Sequence, residues 1–453
     1  MIASKYGMAI PNEREKLKNC LYCKGGFAMK KIFVMGLTGI MLAGCMLGTC
    51  SAEEKTKITV LRPGDQEKVA AFLEPAIEQF EAENPDIDVE IMYESWAGWI
   101  QKYPTSFEAG TQPDVIFWWD NKLNDSSAHD SLVDMIDLID DETINRIPES
   151  VWNLVSEGNK DGLYYIPSSV DSFVLYCNKD VFELAGLDPE NPPKTWEELL
   201  SAAQTITEKT GIAAIGVPAI TGSETLEEFV GMFINQATDA AILDSDSMPL
   251  FENEKGLEAL EYLKQLLPYI QTSPTEYGRG ELRPLLRDGQ VAMLIDGPWG
   301  VANYIAAYGE NLDESPIGIA PVPQKEEGQK ITWAGTNGWI ATREETAEAS
   351  AKLIEFLMSP DILKSHHLAY GSSPLYEEEF DDPAFQYDYW KVFYNEIQEY
   401  TLYGMIGANS ATPAAYYTAL EEVWQYFILG QIEPEDALKA AADAARSVTG
   451  RNS

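Results

Sequence analysis

Residues 164–179 read Tyr164-Tyr165-Ile166-Pro167-Ser168-Ser169-Val170-Asp171-Ser172-Phe173-Val174-Leu175-Tyr176-Cys177-Asn178-Lys179. The far half, Phe173 to Cys177, is a continuous apolar, β-prone run, the pattern of a strand buried on both faces. Asp171 stands just before it. A carboxylate at the edge of a buried strand either has a polar partner or receives one from a ligand. The stretch therefore reads as a strand broken by a turn, a crossing between two lobes, with Asp171 facing the cleft between them.

Outward from this crossing, 453 residues are too many for one core, which makes two lobes the expectation. Apolar residues make up 45% of the chain, ample for packed domains. The net charge of -41 disfavours nucleic acid or an anionic membrane surface as partner, because both need basic surface. It suits a soluble protein outside the cytoplasm and by itself names no ligand.

Met29-Lys30-Lys31 gives a basic start and Ile32 to Ala43 an apolar run, too short to span a bilayer comfortably. The run ends in Leu42-Ala43-Gly44-Cys45, which resembles a bacterial lipobox: small residues admit a signal peptidase, and the Cys45 thiol takes the lipid. Leu47-Gly48-Thr49-Cys50 is a poorer copy, because Thr49 is bulkier than Gly44. Residues 1–28 are polar and mixed in charge, so translation is expected to begin at Met29, which leaves Cys20-x-x-Cys23 without a role. Residues 1–44 are then an upstream extension plus signal peptide, and 45–57 a tether. The expected location is the extracellular face of the cell membrane, held by lipid alone. Cys177 in the crossing strand completes no disulfide framework.

Along the chain, Ile58–Leu61, Val89–Tyr93 and Asp114–Trp118 read as strands. Helical periodicity over Val69–Phe80 and about Trp99–Ala109 separates them. Strand, helix, strand, helix, strand implies a parallel, doubly wound sheet, with ligands at the carboxyl ends of its strands. Those ends are Arg62 to Gln66, Glu94 to Trp96 and Trp118 to Asn121. Thr195 and Glu198 form a capping box. Val291–Ile295 is a buried strand running into Asp296-Gly297-Pro298-Trp299, and Ile317–Val322 is a second crossing. Trp333 to Trp339 reads as a glycine-bearing loop entering a short strand. Thr346–Met358 is an amphipathic helix stopped by Pro360, and helices follow at 415–429 and 434–448.

Together these segments resemble the family 1 extracellular solute-binding proteins of bacterial ABC importers, the group that includes the maltose-binding proteins. The pieces that carry the resemblance are Leu175 to Phe182 with Gly186-Leu187, Pro193 to Leu199, Gly289 to Met293, and Asp296 to Trp299, in that order behind a lipobox. Cys177 departs from a frequent tyrosine. The resemblance implies an α/β, two-lobe periplasmic-binding-protein-like (type II) fold with discontinuous lobes and hinge crossings. Lobe one would be 58–170 with 320–343, and lobe two 171–319 with 344–453. It also implies a monomer without cofactor or catalysis, which closes on a solute and hands it to the transmembrane subunits of an ABC permease.

Sugars offer hydroxyl pairs to carboxylates and apolar C–H faces to aromatic rings. A sugar site therefore needs Asp, Glu or Asn beside Trp or Tyr at loop ends. Trp118-Trp119-Asp120 ends a strand at a position where the family holds sugar with an aromatic and an acid; one of the two rings belongs to the core, and Trp119 is favoured for the cleft. Asp171 and Trp299 match family ligand contacts. Glu94 and Trp96 sit at a strand end, and Trp333 and Asn337 on the glycine loop. Glu224, Tyr416 and Tyr417 fall near family contact regions. Asp65 and Gln66 complete the set, while Trp196, Trp390 and Trp424 read as helical core.

Other classes fit less well. With 73 acidic residues, paired carboxylates for glycoside hydrolysis occur everywhere and mean nothing. His129, His366 and His367 are the only histidines; His366-His367 read as surface residues on a helix end, without a serine or metal motif. Asp244, Asp246 and Glu252 lack the glycine of a calcium loop. A carbohydrate, in particular an oligosaccharide, is thus the expected ligand. Alternatives are another polar solute (a polyol, glycerol phosphate or a polyamine) or a surface glycosidase or lectin. A phosphate ligand would want basic residues in the cleft, and the candidate set has none.

Overall fold

The computed structural model describes residues 55–119, 129–155, 159, 162–222, 224–244, 246–309, 311–404 and 413–449. The leader, Cys45 and Asp120 lie outside the described residues. In chain order the strands are β1 (Thr56–Leu61), β2 (Ile87–Met92), β3 (Val115–Trp119), β4 (Ile166–Ser172) and β5 (Val174–Asn178). They continue with β6 (Ala213–Gly216), β7 (Val291–Asp296), β8 (Ile317–Pro321), β9 (Ile331–Ala341) and β10 (Thr401–Tyr403).

β1 lies between β2 and β3 and runs parallel to both, as the strand–helix alternation requires. β9 closes this first sheet, antiparallel to β3 and β4, and β10 pairs with its first residues. In the second sheet β6 runs parallel to β7, and β5 lies antiparallel between β7 and β8. Between β1 and β2, the helix Gln66–Glu83 starts where the Asp65 carboxylate accepts from the Lys68 amide at 3.1 Å. It buries Val69, Phe72, Leu73, Ala76, Ile77 and Phe80, the expected apolar stripe.

The chain passes from one sheet to the other across a single residue. β4 ends at Ser172, β5 begins at Val174, and the buried Phe173 between them donates its amide to Trp333 O at 3.1 Å. It returns between β8 and β9. The fold is therefore the two-lobe α/β type with discontinuous lobes and hinge crossings. One core gathers Val60, Phe72, Phe80 and Val115 around the first sheet. The other gathers Leu175, Ile206, Phe233 and Met293 with Trp424 and Ala441 of the last two helices, Pro413–Ile428 and Pro434–Thr449. Trp196, Trp390 and Trp424 are all core residues.

Four expectations need correction. The resemblance puts the helices Ala347–Leu357 and Pro360–Tyr370 in lobe two with the rest of 344–453. Their apolar faces (Leu353, Ile354, Leu357, Leu363) instead close the first core, with Phe356 against Phe80 at 5.5 Å. Pro360 does not only stop a helix; it opens the next one in its first turn, where no amide donor is needed. Residues 333–339 are not a loop but the middle of β9. The glycine at 338 is what lets β4 approach, since a Cβ there would lie 2.2 Å from Ile166 O. At the capping box, Thr195 accepts from the Glu198 amide as expected, but Glu198 reaches back one residue further, to Lys194 N at 2.7 Å.

Candidate functional site

A cavity of about 290 Å³ opens where the carboxyl ends of β1 and β3 face the start of the helical segment after β7. Its wall includes Arg62, Trp96, Trp119, Asp171, Trp299 and Asn337.

Strand alternation sorts the two tryptophans that end β3. Trp118 is 3% exposed and packs among Trp99, Tyr103 and Phe107, with ring centroids 5.0–6.2 Å apart. It is core, not cleft. Trp119 points the other way and lines the cavity, stacked on Trp96 at 4.5 Å with 8° between planes. Trp96 does not end a strand. It opens the helix Trp96–Glu108, capped by Ser95, whose hydroxyl accepts from Gly98 N at 3.0 Å. The two indoles make one rigid apolar plate.

Asp171 of β4 and Asn337 of β9 meet across the sheet: Asn337 Nδ2 donates to Asp171 Oδ2 at 3.3 Å. Asn337 Oδ1 and the Ser169 hydroxyl are buried with no hydrogen-bond partner among the described residues. A polar atom left in that state costs about 1–3 kcal/mol, which a ligand's hydroxyls would recover. Trp299, in the short helical segment that follows β7, also lines the cavity. Its indole N–H donates to Asp296 Oδ1 at 2.7 Å, and Asp296 is in turn gripped by Arg283 at 2.7 and 3.1 Å. Phe173 meets the ring edge-on at 6.5 Å. The indole is thus fixed by charge-assisted bonds anchored in the lobe's interior.

Sequence reasoning placed Arg62 at a strand end but gave it no role. It is only 6% exposed, with its guanidinium 3.2 Å from the Tyr370 ring centroid and 4.7 Å from that of Phe117. Burial pulls its pKa down to about 10, which leaves it cationic at neutral pH. Tyr370, Gly371 and Ser372 also line the cavity and were missed because their helix had been given to the other lobe. His366 and His367, read as surface residues, are 1% and 0% exposed. The helix turns both inward, His366 against Phe72 and Phe117 and His367 onto Glu379.

Most of the remaining candidates stand away from the cavity wall. Trp333 is buried and stacked on Phe173 at 4.2 Å, a layer beneath the site. Glu94 turns to Lys102 on the next helix. Glu224 sits at the start of the helix Thr225–Thr238 with a left-handed φ of 60°. Tyr416 and Tyr417 are core residues, the former donating to Ser247 O at 2.9 Å. Of the turn residues, Asp65 lines the cavity and Gln66 does not. Among the described residues no group of three His, Cys, Asp or Glu side chains is placed to hold a metal, and no helix is long and apolar enough to cross a membrane.

The model of the family described as bacterial extracellular solute-binding protein matches residues 63–364. A binding protein of Brucella abortus (strain 2308) is 26% identical over 345 residues, which is 75% of this chain and 81% of that protein. The arabinooligosaccharide-binding protein of Halalkalibacterium halodurans is 25% identical over 321 residues, 66% of this chain and 68% of that one. Among solved structures, the cyclic alpha-maltosyl-1,6-maltose binding protein from Arthrobacter globiformis superposes with a TM-score of 0.75 at 23% identity, covering 87% of this chain and 99% of that one.

Proposed function

Because the chain belongs to the bacterial extracellular solute-binding proteins, binders and not enzymes, we propose that it captures an oligosaccharide in this cavity and delivers it to an ABC permease. One observation carries the reading: the stacked Trp119 and Trp96, the Asp296-anchored Trp299 and the Asp171–Asn337 pair line one cavity. Rings of this kind take the C–H faces of a sugar while the carboxylate and amide take its hydroxyls. The relatives that bind arabinooligosaccharide and maltodextrin point the same way. Cys45 would carry the lipid that keeps the protein beside its permease, at the outer face of the membrane.

Thermal-shift screening against mono- and oligosaccharides, with calorimetry on hits, tests this, since a ligand of the native state raises Tm by mass action. The expected result is at least one oligosaccharide hit whose affinity Trp119→Ala and Asp171→Ala both weaken. Normal binding by both variants would misplace the site. Release of Cys45→Ala protein from the membrane fraction tests the anchor.

A second reading, an anionic solute such as glycerol phosphate, gains from Arg62. The sequence argument against it was a cleft without basic residues, and Arg62 and Lys68 both line this one.

A further inference from the structure

Resting on the carbohydrate reading, we infer that the cavity is built for an acidic sugar, a saccharide whose carboxylate seats on Arg62.

Among the described residues, the buried Arg279 and the half-buried Arg283 are both paired. Arg279 meets Glu228 at 2.6 Å, and Arg283 grips Asp296 at 2.7 and 3.1 Å. Arg62 is as deeply buried, yet no carboxylate among the described residues comes within the 4 Å of an ion pair. Taking a cation out of water without a counter-ion is costly, and chains keep such a group where a partner arrives later.

Donor accounting agrees. A guanidinium has five N–H groups. Nη1 donates to Pro63 O at 2.7 Å, while Nε and Nη2 share the one lone pair of His366 Nε2 at 3.4 and 3.5 Å. Both acceptors are uncharged, because His366 is held neutral by burial and then by Arg62 itself. Among the described residues, one N–H on Nη1 and one on Nη2 have no acceptor. The Tyr370 and Phe117 rings pack against the planar group at 3.2 and 4.7 Å, and the N–H groups that remain lie on its edge. A carboxylate matches that edge with two parallel bonds.

The nearby acids do not fill this place. Asp65 caps its helix through the Lys68 amide, and Asp171 accepts from Asn337 and acts on Arg62 only at longer range. The cavity thus presents an acceptor at Asp171 and a cationic donor at Arg62. A sugar carrying both hydroxyls and an acid would bind in one orientation. Against a net charge of -41 that repels anions, a local buried cation is what such selectivity needs.

Calorimetry on the full-length protein would compare trigalacturonate and glucuronate-bearing disaccharides with their methyl esters and with the matching neutral sugars. Glycerol 3-phosphate and glycerol form a separate arm. The acid is expected to bind at least about tenfold tighter than its ester. Arg62→Gln should erase that preference by weakening the acid far more than the ester, while Arg62→Lys, which keeps the charge but not the fork, should retain part of it. If Arg62→Gln does not fold, the Lys variant alone decides, because a merely structural arginine would leave the acid-to-ester ratio unchanged. Esters or neutral sugars binding as well as acids would overturn the inference and leave the carbohydrate reading intact. Glycerol 3-phosphate binding with no saccharide response, or no binding of any probe, would overturn both.

Discussion

His367 Nδ1 lies 2.5 Å from Glu379 Oε2, and its Nε2 lies 2.8 Å from Ser168 O. A backbone carbonyl can only accept, and a carboxylate oxygen accepts as well, so the two contacts favour the doubly protonated ring. Glu379 is itself fixed by the amides of Leu375 and Tyr376 at 2.8 and 2.9 Å. The bracket ties the helix Pro360–Tyr370 to β4 one residue before Ser169 of the cavity wall. Burial alone would lower the pKa of His367, but Glu379 and the Ser168 carbonyl outweigh it and the pKa is raised. A raised histidine pKa contributes stability that is complete below the unfolded value of about 6.5 and fades as pH climbs through the folded one. Tm should therefore fall from pH 6.5 toward alkaline pH, and Glu379→Gln should flatten that decline while costing about 3–5 kcal/mol at pH 6. Thermal unfolding between pH 6 and 9 checks this; parallel curves for the two proteins would refute it.

Glu396 is a buried acid at the hinge, 0% exposed, with Val322 N donating to Oε1 at 3.3 Å just beyond β8. Burial raises its pKa well above the ordinary carboxyl value. For an acid the sign is opposite to a stabilising carboxylate: the folded state prefers the proton, and stability drains as pH rises from about 4.3 to the folded pKa. Glu396→Gln keeps the shape and removes the titration. Its stability curve should lose a slope of up to about 1.4 kcal/mol per pH unit in that window. Denaturant melts at pH 5, 6 and 7 measure it, and an unchanged slope would assign the pH dependence elsewhere.

The two tryptophans that end β3 predict opposite phenotypes. Trp118→Ala empties a ring-filled pocket and should cost about 3–5 kcal/mol of stability, with whatever folds binding ligand normally. Trp119→Ala should leave Tm within about 1 °C and weaken sugar affinity roughly ten- to a hundredfold, because it removes one plate of the cavity. Trp96→Ala should weaken binding less, by freeing the ring stacked on it. Calorimetry and thermal melts on the three variants separate these outcomes.

The sequence carried most of the frame, for physical reasons visible in particular residues. The parallel β2-β1-β3 core announced itself because Val115–Trp118 is apolar on both faces, Ile58–Leu61 is apolar but for Thr59, and the helix between β1 and β2 keeps a clean stripe. The crossing at Phe173 was legible because a buried run begins one residue after a polar one. What stayed hidden depends on partners far away in the chain. His366 and His367 look like surface residues until Arg62 and Glu379 are brought to them. Arg62 reads as a turn residue because nothing local says that Tyr370, more than 300 positions on, will cover it. Residues 333–339 resemble a loop because the glycines that permit close strand approach are the same residues that mark turns.

The last of those glycines gives a sharp test. Gly338 faces β4 where the register shifts between Pro167 and Ser169, and a Cβ on it would sit 2.2 Å from Ile166 O and 2.8 Å from Pro167 Cα. Both obstacles are backbone, so no side-chain rotation relieves them, and either β4 or β9 must move. Because Asn337 is the next residue along β9, the displacement reaches the Asp171 contact directly. Gly338→Ala should therefore destabilise the protein by about 1–3 kcal/mol or more and weaken ligand affinity in the fraction that folds. Gly430→Ala, where the left-handed φ of 67° is strained but nothing lies within 4 Å, should lose stability without touching affinity. Denaturant melts with calorimetry on both variants distinguish a glycine that shapes the site from one that only turns the chain. Equal affinity in the two would show that β9 tolerates the shift without disturbing Asn337.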